Sequence, residues 1–496
     1  MFRSDTHITL TQPGPEPPKG ASCMTRTQLL ASLAVSLGSM IVGYSSAWSS
    51  PAIASLMEPG SGIQVTQNEA SWIGSLMPLA ALAGGFTGGP LLESFGRKKT
   101  IMATALPFIG ASLLVSYANG VEMIYAGRAI TGFCIGMISL SLPVYLAEAI
   151  HPEVRGTLGL LPTSLGNGGV MLCYVCGFFL NWSQLSLVGA IIPLPFLLLM
   201  CMIPETPRYL LNKGKDRECQ AALQWLRGDK QDIARELHDM ERTNILMKKT
   251  KLRASELFQP CHVKPLMISI GLMFFQQFSG INAVMFYSVS IFELAGSSIN
   301  SNLATIILGV VNIGATIFSN AFIDKLGRKI LLYISDVGMI ISLVVFGGYF
   351  YLKEVAHTEA PGWIPLLALM VYVVSFSVGF GPIPWLMMGE IFPSRIRGAA
   401  ASLSTAFNWA CTFIVTKTFM DLQGIFGPHG VFWMFAVILV FCLAFIIFFV
   451  PETRGQTLED IERLYTGQVM DSHLASSGSR RISSLANLKP TPSIIL

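Results

Sequence analysis

A chain of 496 residues, 52% hydrophobic and only 12% charged, is not a soluble globular protein, in which about 25% of residues carry charge. It is a polytopic helical membrane protein. A formal net charge of +4 does not mark a nucleic-acid binder, because the basic residues lie in short loops between apolar runs.

Residues 1–26 are polar and rich in Pro and Thr, carry no signal-peptide pattern, and read as a disordered cytosolic tail. Charge-free runs then mark the membrane spans, since about 20 apolar residues cross a bilayer. Residues 27–57, 70–92 and 101–117 give spans 1 to 3, and 123–147, whose one charge is Arg128, gives span 4. The block 156–204 is too long for one crossing and turns at Asn181-Trp182-Ser183, so it holds spans 5 and 6. That tripeptide is also an N-glycosylation sequon, which makes Asn181 a candidate acceptor in a very short loop. Residues 205–264 are rich in Arg, Lys, Glu and Asp at helical spacing, and read as a soluble helical linker packed beneath both halves as a latch. Residues 265–292, 303–323, 330–352, 363–388, 398–420 and 431–450 supply six more spans. The tail after Pro451 is polar and Ser-rich, with Arg480-Arg481-Ile482-Ser483 resembling a basic-directed kinase site.

The expected fold is therefore an all-α membrane protein of twelve transmembrane helices. Its divisions are a tail (1–26), an amino-terminal six-helix half (27–204), a cytoplasmic helical linker (205–264), a carboxy-terminal half (265–450) and a second tail (451–496). With the amino terminus inside, the inside loops hold Arg97, Lys98, Lys99, Arg155, Lys325, Arg328, Lys329, Arg395 and Arg397, and the outside loops hold Lys353 and little else. The positive-inside rule thus places both termini in the cytosol.

The chain repeats itself. Phe95-Gly96-Arg97-Lys98 recurs as Leu326-Gly327-Arg328-Lys329, and Pro204-Glu205-Thr206 as Pro451-Glu452-Thr453. Glu148 stands seven residues before Arg155, and Glu390 seven before Arg397. The offsets agree closely enough to make the two halves parallel copies, the architecture in which substrate binds at the interface of the repeats.

The stretch Gln276-Gln277-Phe278-Ser279-Gly280-Ile281-Asn282 lies inside an uncharged span. Three carboxamides in hydrocarbon must face partners or a water-filled cavity. They could be hydrogen-bonding glue between helices, but their number favours a binding site, with donors and acceptors that suit a substrate made of hydroxyls. Gly379, Gly381, Pro382 and Pro384 cannot lie in a regular helix. A static kink and a flexible gate over bound substrate are both open, and the pairing of two glycines with two prolines favours the gate. A second constellation is charged: Arg97, Glu148, Arg155, Glu205, Arg208, Asp324, Arg328, Glu390, Arg397, Glu452 and Arg454 gather at the inside face. They either mark topology or form weak salt bridges, about 0–1 kcal/mol each when exposed, that tie the halves together and break in each cycle.

These residues carry a resemblance. Gly96-Arg97-Lys98, Pro204-Glu205-Thr206-Pro207-Arg208, Gln276 to Asn282, Asp324-Lys325-Leu326-Gly327-Arg328-Lys329, Gly381-Pro382-Ile383-Pro384-Trp385 and Pro451-Glu452-Thr453-Arg454-Gly455, in this order, resemble a sugar porter of the major facilitator superfamily. Within it, Leu160-Leu161-Pro162-Thr163, Trp385 to Ile391 and Ala406-Phe407-Asn408-Trp409 are most similar to the insect facilitated trehalose transporters. The resemblance implies that Gln276, Gln277, Asn282, Asn312, Trp385 and Asn408 contact the sugar. Trp385 and Trp409 also offer flat faces to a pyranose, although an interfacial aromatic belt explains them too.

Proton-linked porters of this kind carry an Asp after the Gly-Tyr of span 1; here Gly43-Tyr44 is followed by Ser45, so facilitated diffusion without a bound ion is expected. Hexose facilitators have a Gln in span 5 where this chain has Thr163-Ser164-Leu165-Gly166-Asn167, and many have a Glu where it has Ser377. Those departures count against glucose as the main substrate and leave room for a disaccharide; the resemblance implies trehalose, with a hexose facilitator and a non-transporting sugar sensor as alternatives. Cys173 and Cys176 form a C-x-x-C on an uncharged stretch and read as packing. Neither an enzyme, a cofactor, a metal nor a nucleic-acid partner is expected. The partners are a sugar and the plasma-membrane bilayer, and no oligomer is required.

Overall fold

The computed structural model describes residues 25–58, 60–151, 154, 158–159, 161–228, 231–249, 259–296, 299–357, 361–392 and 396–454. The amino-terminal half comprises α1 (Arg26–Met57), α2 (Gln67–Phe95), α3 (Arg97–Ser116), α4 (Val121–Ala149), α5 (Leu161–Phe179) and α6 (Trp182–Met202). A linker follows with α7 (Pro207–Asn212), α8 (Asp216–Arg227) and α9 (Ala234–Lys249). The carboxy-terminal half holds α10 (Pro260–Phe278), α11 (Ile281–Phe286), α12 (Ser288–Ala295), α13 (Ser301–Leu326), α14 (Arg328–Glu354), α15 (Ile364–Val378), α16 (Ile383–Ile391) and α17 (Arg397–Phe449).

Ten stretches among the described residues are long and apolar enough to cross a membrane. The last, Gly398–Phe449, is two crossings joined at a kink where Gly427 has φ 68° and Pro428 follows. α5 is more polar, with Thr163, Ser164 and Asn167 on 19 residues, and completes twelve. Lipid explains the surface: Leu106, Phe179 and Phe448 are 70%, 76% and 77% exposed, an arrangement that water would not tolerate over so wide an area.

Hydrophobicity cannot drive helices together in lipid, so close packing and polar ties do it. A Cβ at Gly43 would strike the Gly166 carbonyl, which seats α1 on α5, and one at Gly136 would strike the Ala81 carbonyl, which seats α4 on α2. Side-chain caps fix the entries. Thr66 and Glu69 form a capping box at α2. Asn181 is exposed and caps α6, accepting from Gln184 N at 2.9 Å.

The two ends of the bundle differ. One carries both Gly-Arg-Lys turns and the linker. There Thr25 Oγ1 donates to Leu226 O at 2.9 Å, and the Arg227 guanidinium donates to Ala149 O at 2.9 Å and bidentately to Glu236 at 2.9 and 2.7 Å. This anchorage is to α1 and α4 of the amino-terminal half; residues 250–258 of the linker lie outside the described residues. The cause of the anchorage is Arg227, 4% exposed, whose fork grips Glu236 and reaches the last carbonyl of α4.

At the opposite end the halves are clasped. Val289 N donates to Ser50 Oγ at 3.0 Å, joining α12 to α1. Lys417 on α17 reaches α2, with Nζ 3.2 Å from Asn68 Oδ1, 3.1 Å from Ser71 Oγ and 4.8 Å from the Trp72 ring centroid. The i,i+4 partnership of Lys417 with Asp421 that helical spacing offers is set aside for this cross-half grip.

Candidate functional site

Two helices break where the carboxamides gather. Gly280 has φ 90°, a left-handed conformation that glycine adopts without strain, and separates α10 from α11. The second break, between α15 and α16, follows from its prolines. Pro382 and Pro384 have no N–H, so the carbonyls four residues earlier, Val378 and Phe380, lose their helical donors. Side chains from other helices replace them: Ser319 Oγ on α13 donates to Val378 O at 3.0 Å, and Gln276 Nε2 on α10 donates to Phe380 O at 2.7 Å and to Gly381 O at 3.2 Å. Phe380 N donates in turn to Ser335 Oγ at 3.1 Å. A Cβ at Gly379 would sit 2.5 Å from Leu331 O, so glycine lets the break press on α14. A broken helix is tolerated at membrane depth where neighbours re-satisfy its backbone.

From Gln276 the network continues. Its Oε1 accepts from Asn408 Nδ2 at 3.0 Å, Asn408 Oδ1 accepts from Gln277 Nε2 at 3.1 Å, and Gln277 Oε1 accepts from Asn282 Nδ2. Gln276, Gln277 and Asn408 are 3–5% exposed. Asn312 has a separate partner, its Oδ1 accepting from Ser377 Oγ at 2.9 Å, and Ser377 lies one residue before Val378 at the break. Trp385, on the first turn of α16, is 38% exposed and stands outside this network. Gly379, Gly381, Pro382 and Pro384 form the break itself.

The charged residues resolve into two matching clusters, one in each half. In the first, Arg97 Nη2 donates to Glu148 Oε1 at 2.9 Å, Thr206 Oγ1 donates to Glu148 Oε2 at 2.6 Å, and Glu205 accepts from the main-chain N–H groups of Arg97 and Lys98, each at 3.0 Å. In the second, Arg328 Nη2 donates to Glu390 Oε1 at 3.0 Å, Thr453 Oγ1 to Glu390 Oε2 at 2.6 Å, and Glu452 accepts from Arg328 N and Lys329 N, each at 3.0 Å. The glutamate of each Pro-Glu-Thr thus caps the start of α3 or α14, where free N–H groups and the helix dipole favour an anion. Arg454 joins through its main-chain N–H, 2.9 Å from Glu452 Oε1. Arg208 does not join: Pro207, Leu210 and Leu211 are the buried face of α7 and leave Arg208 exposed. Asp324 lies on α13 and Arg397 opens α17, their side chains outside the described residues; Arg155 lies outside them altogether.

Burial pushes the Glu452 carboxyl up, but the N–H groups of Arg454, Arg328, Lys329 and Thr453 outweigh it and hold the carboxyl below the ordinary carboxylate range. A depressed folded-state pKa contributes stability above the unfolded pKa, and that contribution is lost as pH falls through the folded pKa. Glu452→Gln is therefore expected to lower the Tm of the purified protein by a few degrees at pH 7, for a cap worth about 1 kcal/mol less its solvent screening. The gap to wild type should close in acid. Equal melting of the two at pH 7 would remove the cap from the account.

Sequence reasoning assigned no role to Arg128, although it was the one charge in its span. It is 3% exposed and joins three helices. Nε donates to Ile73 O of α2 at 3.2 Å, Nη1 to Ser45 O at 3.0 Å and Nη2 to Ser49 Oγ at 2.8 Å, both on α1. Its guanidinium carbon lies 5.0 Å from the Trp48 ring centroid. Cys173 is buried and neither it nor Cys176 is in a disulfide.

Two repeated halves, clasped at one end, with buried carboxamides beside two broken helices, define a membrane transporter for a small polar solute. The family model described as "Sugar (and other) transporter" matches residues 31–465. The chain is 53% identical to the facilitated trehalose transporter Tret1-2 homolog of Drosophila sechellia, covering 99% of this chain and 98% of that one. It is 54% identical to facilitated trehalose transporter Tret1 of Polypedilum vanderplanki, covering 94% and 91%. Among solved structures, the proton:xylose symporter XylE bound to 6-bromo-6-deoxy-D-glucose superposes with a TM-score of 0.74 at 27% identity, covering 88% of this chain and 99% of that one. The inward open conformation of the xylose transporter XylE from E. coli gives 0.73 at 26% identity, covering 87% and 98%. The chain belongs to the sugar transporter family of the major facilitator superfamily. It is a multi-pass membrane transporter and not an enzyme.

Proposed function

We propose that this transporter carries trehalose across the plasma membrane by facilitated diffusion, with no coupled ion. The observation that carries the uncoupled reading is the setting of Arg128. Its three hydrogen-bond acceptors, Ile73 O, Ser45 O and Ser49 Oγ, are all neutral, so no proton need be gained or lost beside it in a cycle. The names of the insect relatives support trehalose as the substrate.

In this reading Gln276, Gln277, Asn282, Asn312, Trp385 and Asn408 bind the sugar, and the break from Gly379 to Pro384 flexes as the gate. The end with the Gly-Arg-Lys turns and both termini is cytosolic by the positive-inside rule. The present form is then the one closed to the outside. Arg97–Glu148 and Arg328–Glu390 pair within their own halves in this form, and members of the two clusters exchange across the halves when the cytosolic end closes.

The test is influx of radiolabelled trehalose into cells with the protein at the surface, with and without a protonophore and with unlabelled glucose as competitor. Saturable uptake that ignores the protonophore and resists glucose is expected. Uptake abolished by the protonophore would overturn the uncoupled reading, and strong glucose competition with little trehalose flux would replace trehalose with a hexose.

A further inference from the structure

The carboxamide network has one-sided origins. Gln276, Gln277 and Asn282 lie on α10 and α11, Asn312 on α13 and Asn408 on α17, all in the carboxy-terminal half. A substrate that drives one half to rock against the other must be gripped by both, because only differential contact with the two arrangements shifts their populations. Arg128, the buried cation of the amino-terminal half, is 3% exposed and committed to α1 and α2.

Besides the clasp, side chains of α5 face across: Tyr174 Oη donates to Met285 O of α11 at 2.9 Å, and a carboxamide nearer the start of the helix reaches α13. Asn167, two turns into α5, donates from Nδ2 to Thr316 Oγ1 on α13 at 2.7 Å. Thr316 Oγ1 donates to Asn312 O at 2.8 Å, and Asn312 accepts from Ser377, at the edge of the gate break that Gln276 holds. A row of polar side chains therefore lines up in two hydrogen-bonded groups, Asn167–Thr316 with Asn312–Ser377 and Gln276–Asn408–Gln277–Asn282, which meet at the main chain of the break. Asn167 is its amino-terminal end. It is half-buried rather than buried, and a carboxamide offers two donors and two acceptor lone pairs. The bond to Thr316 uses one donor, which leaves its carbonyl oxygen and second N–H for hydroxyls.

We propose that Asn167 is a substrate-contacting residue, the amino-terminal half's hydrogen-bonding hold on the sugar, and that it favours a two-ring sugar over a single hexose. The inference rests on the trehalose reading above. The carboxy-terminal network engages one ring, and Asn167 engages hydroxyls of the second, which a monosaccharide lacks. A site built to hydrogen-bond a hydroxyl discriminates strongly against a ligand without it, because its polar group is then left unpaired.

The experiment compares wild type with Asn167→Leu, Asn167→Gln and Thr316→Val in full-length protein, each flux normalised to surface protein. Trehalose KM and Vmax are measured, with glucose competition alongside. Asn167→Leu is expected to raise trehalose KM about tenfold, the scale of one or two lost hydrogen bonds, with Vmax changed less than twofold and glucose competition unchanged. Asn167→Gln should recover part of the KM. Thr316→Val removes the same inter-half bond from the other side and should leave trehalose over glucose selectivity as in wild type.

If Asn167→Leu fails to reach the surface, trehalose-induced stabilisation of purified Asn167→Gln and wild type decides: an identical shift in Tm at every concentration overturns the proposal. An unchanged KM in Asn167→Leu also overturns it, as does a selectivity change that Thr316→Val copies, which would make Asn167 a brace for α13. The trehalose reading fails separately, if wild type itself carries a hexose and no trehalose. The KM comparison is then made with that hexose, and a tenfold rise there would overturn the two-ring preference.

Discussion

Gln276→Leu is expected to lower sugar influx at least tenfold per molecule at the cell surface. The amide does two jobs. It satisfies the backbone of the break, where Pro384 leaves Phe380 O without a helical donor and Gln276 Nε2 stands 2.7 Å away. It also orients Asn408 by accepting from Nδ2 at 3.0 Å. Leucine leaves one buried carbonyl and one buried amide unpaired, at about 1–3 kcal/mol each, and about 1.4 kcal/mol is a factor of ten. Gln276→Glu is instructive because it keeps the length and an acceptor and loses both donors. It should be no better than leucine if the carbonyls of the break matter, and nearly normal if the bond to Asn408 is what counts. Influx is measured as an initial rate over surface-biotinylated protein. A variant that reaches the surface at reduced level but works normally per molecule would assign Gln276 to helix packing alone.

The twelve-span fold was legible because the signal that specifies it is compositional. A bilayer demands long charge-free runs, and Arg, Lys, Glu and Asp between them mark the loops whatever the tertiary contacts are. The doubled Gly-Arg-Lys and Pro-Glu-Thr segments likewise announced two halves. Their physical meaning did not show in the string: that Glu205 and Glu452 cap helices begun more than a hundred residues earlier is a consequence of packing. The same holds for Arg208, whose neighbours in sequence suggested an ion pair and whose helix face turned it outward. For the candidate site, Gln276 and Asn408 stood out as amides in apolar spans. Asn167 was visible only as a departure, a residue in a stretch lacking the Gln of hexose facilitators, because its partner Thr316 is on the other half. Ser319 gave no signal, since serine in a membrane helix commonly bonds its own backbone, as Ser342 Oγ does to Gly338 O at 2.8 Å. Only the fold reveals that Ser319 supplies the hydrogen bond Pro382 cannot.

Arg128→Ala is expected to remove most of the protein from the surface. The guanidinium joins α1, α2 and α4 through three charge-assisted bonds, each worth about 1.5–3 kcal/mol. Burying a cation costs several kcal/mol in return, so the net loss is on the order of 3 kcal/mol. That is a large part of the ~5–15 kcal/mol that holds a typical protein folded. Arg128→Lys should fall between, because an ammonium is a point charge that cannot reproduce a fork reaching Ile73 O and Ser45 O at once. Surface protein, Tm in detergent and flux per molecule are the three readings. The lysine variant carries the further argument. In a carrier that moves a proton, the buried cation works against a carboxylate that gains and loses charge, and weakening the cation changes how flux depends on pH. Here the hydrogen-bond partners are carbonyls and a serine hydroxyl, which carry no charge to lose. Flux through Arg128→Lys should therefore be smaller than wild type and keep the same profile from pH 5 to 8. A profile that shifts with the substitution would mean that a titrating partner meets Arg128 in another stage of the cycle, and that transport is ion-coupled after all.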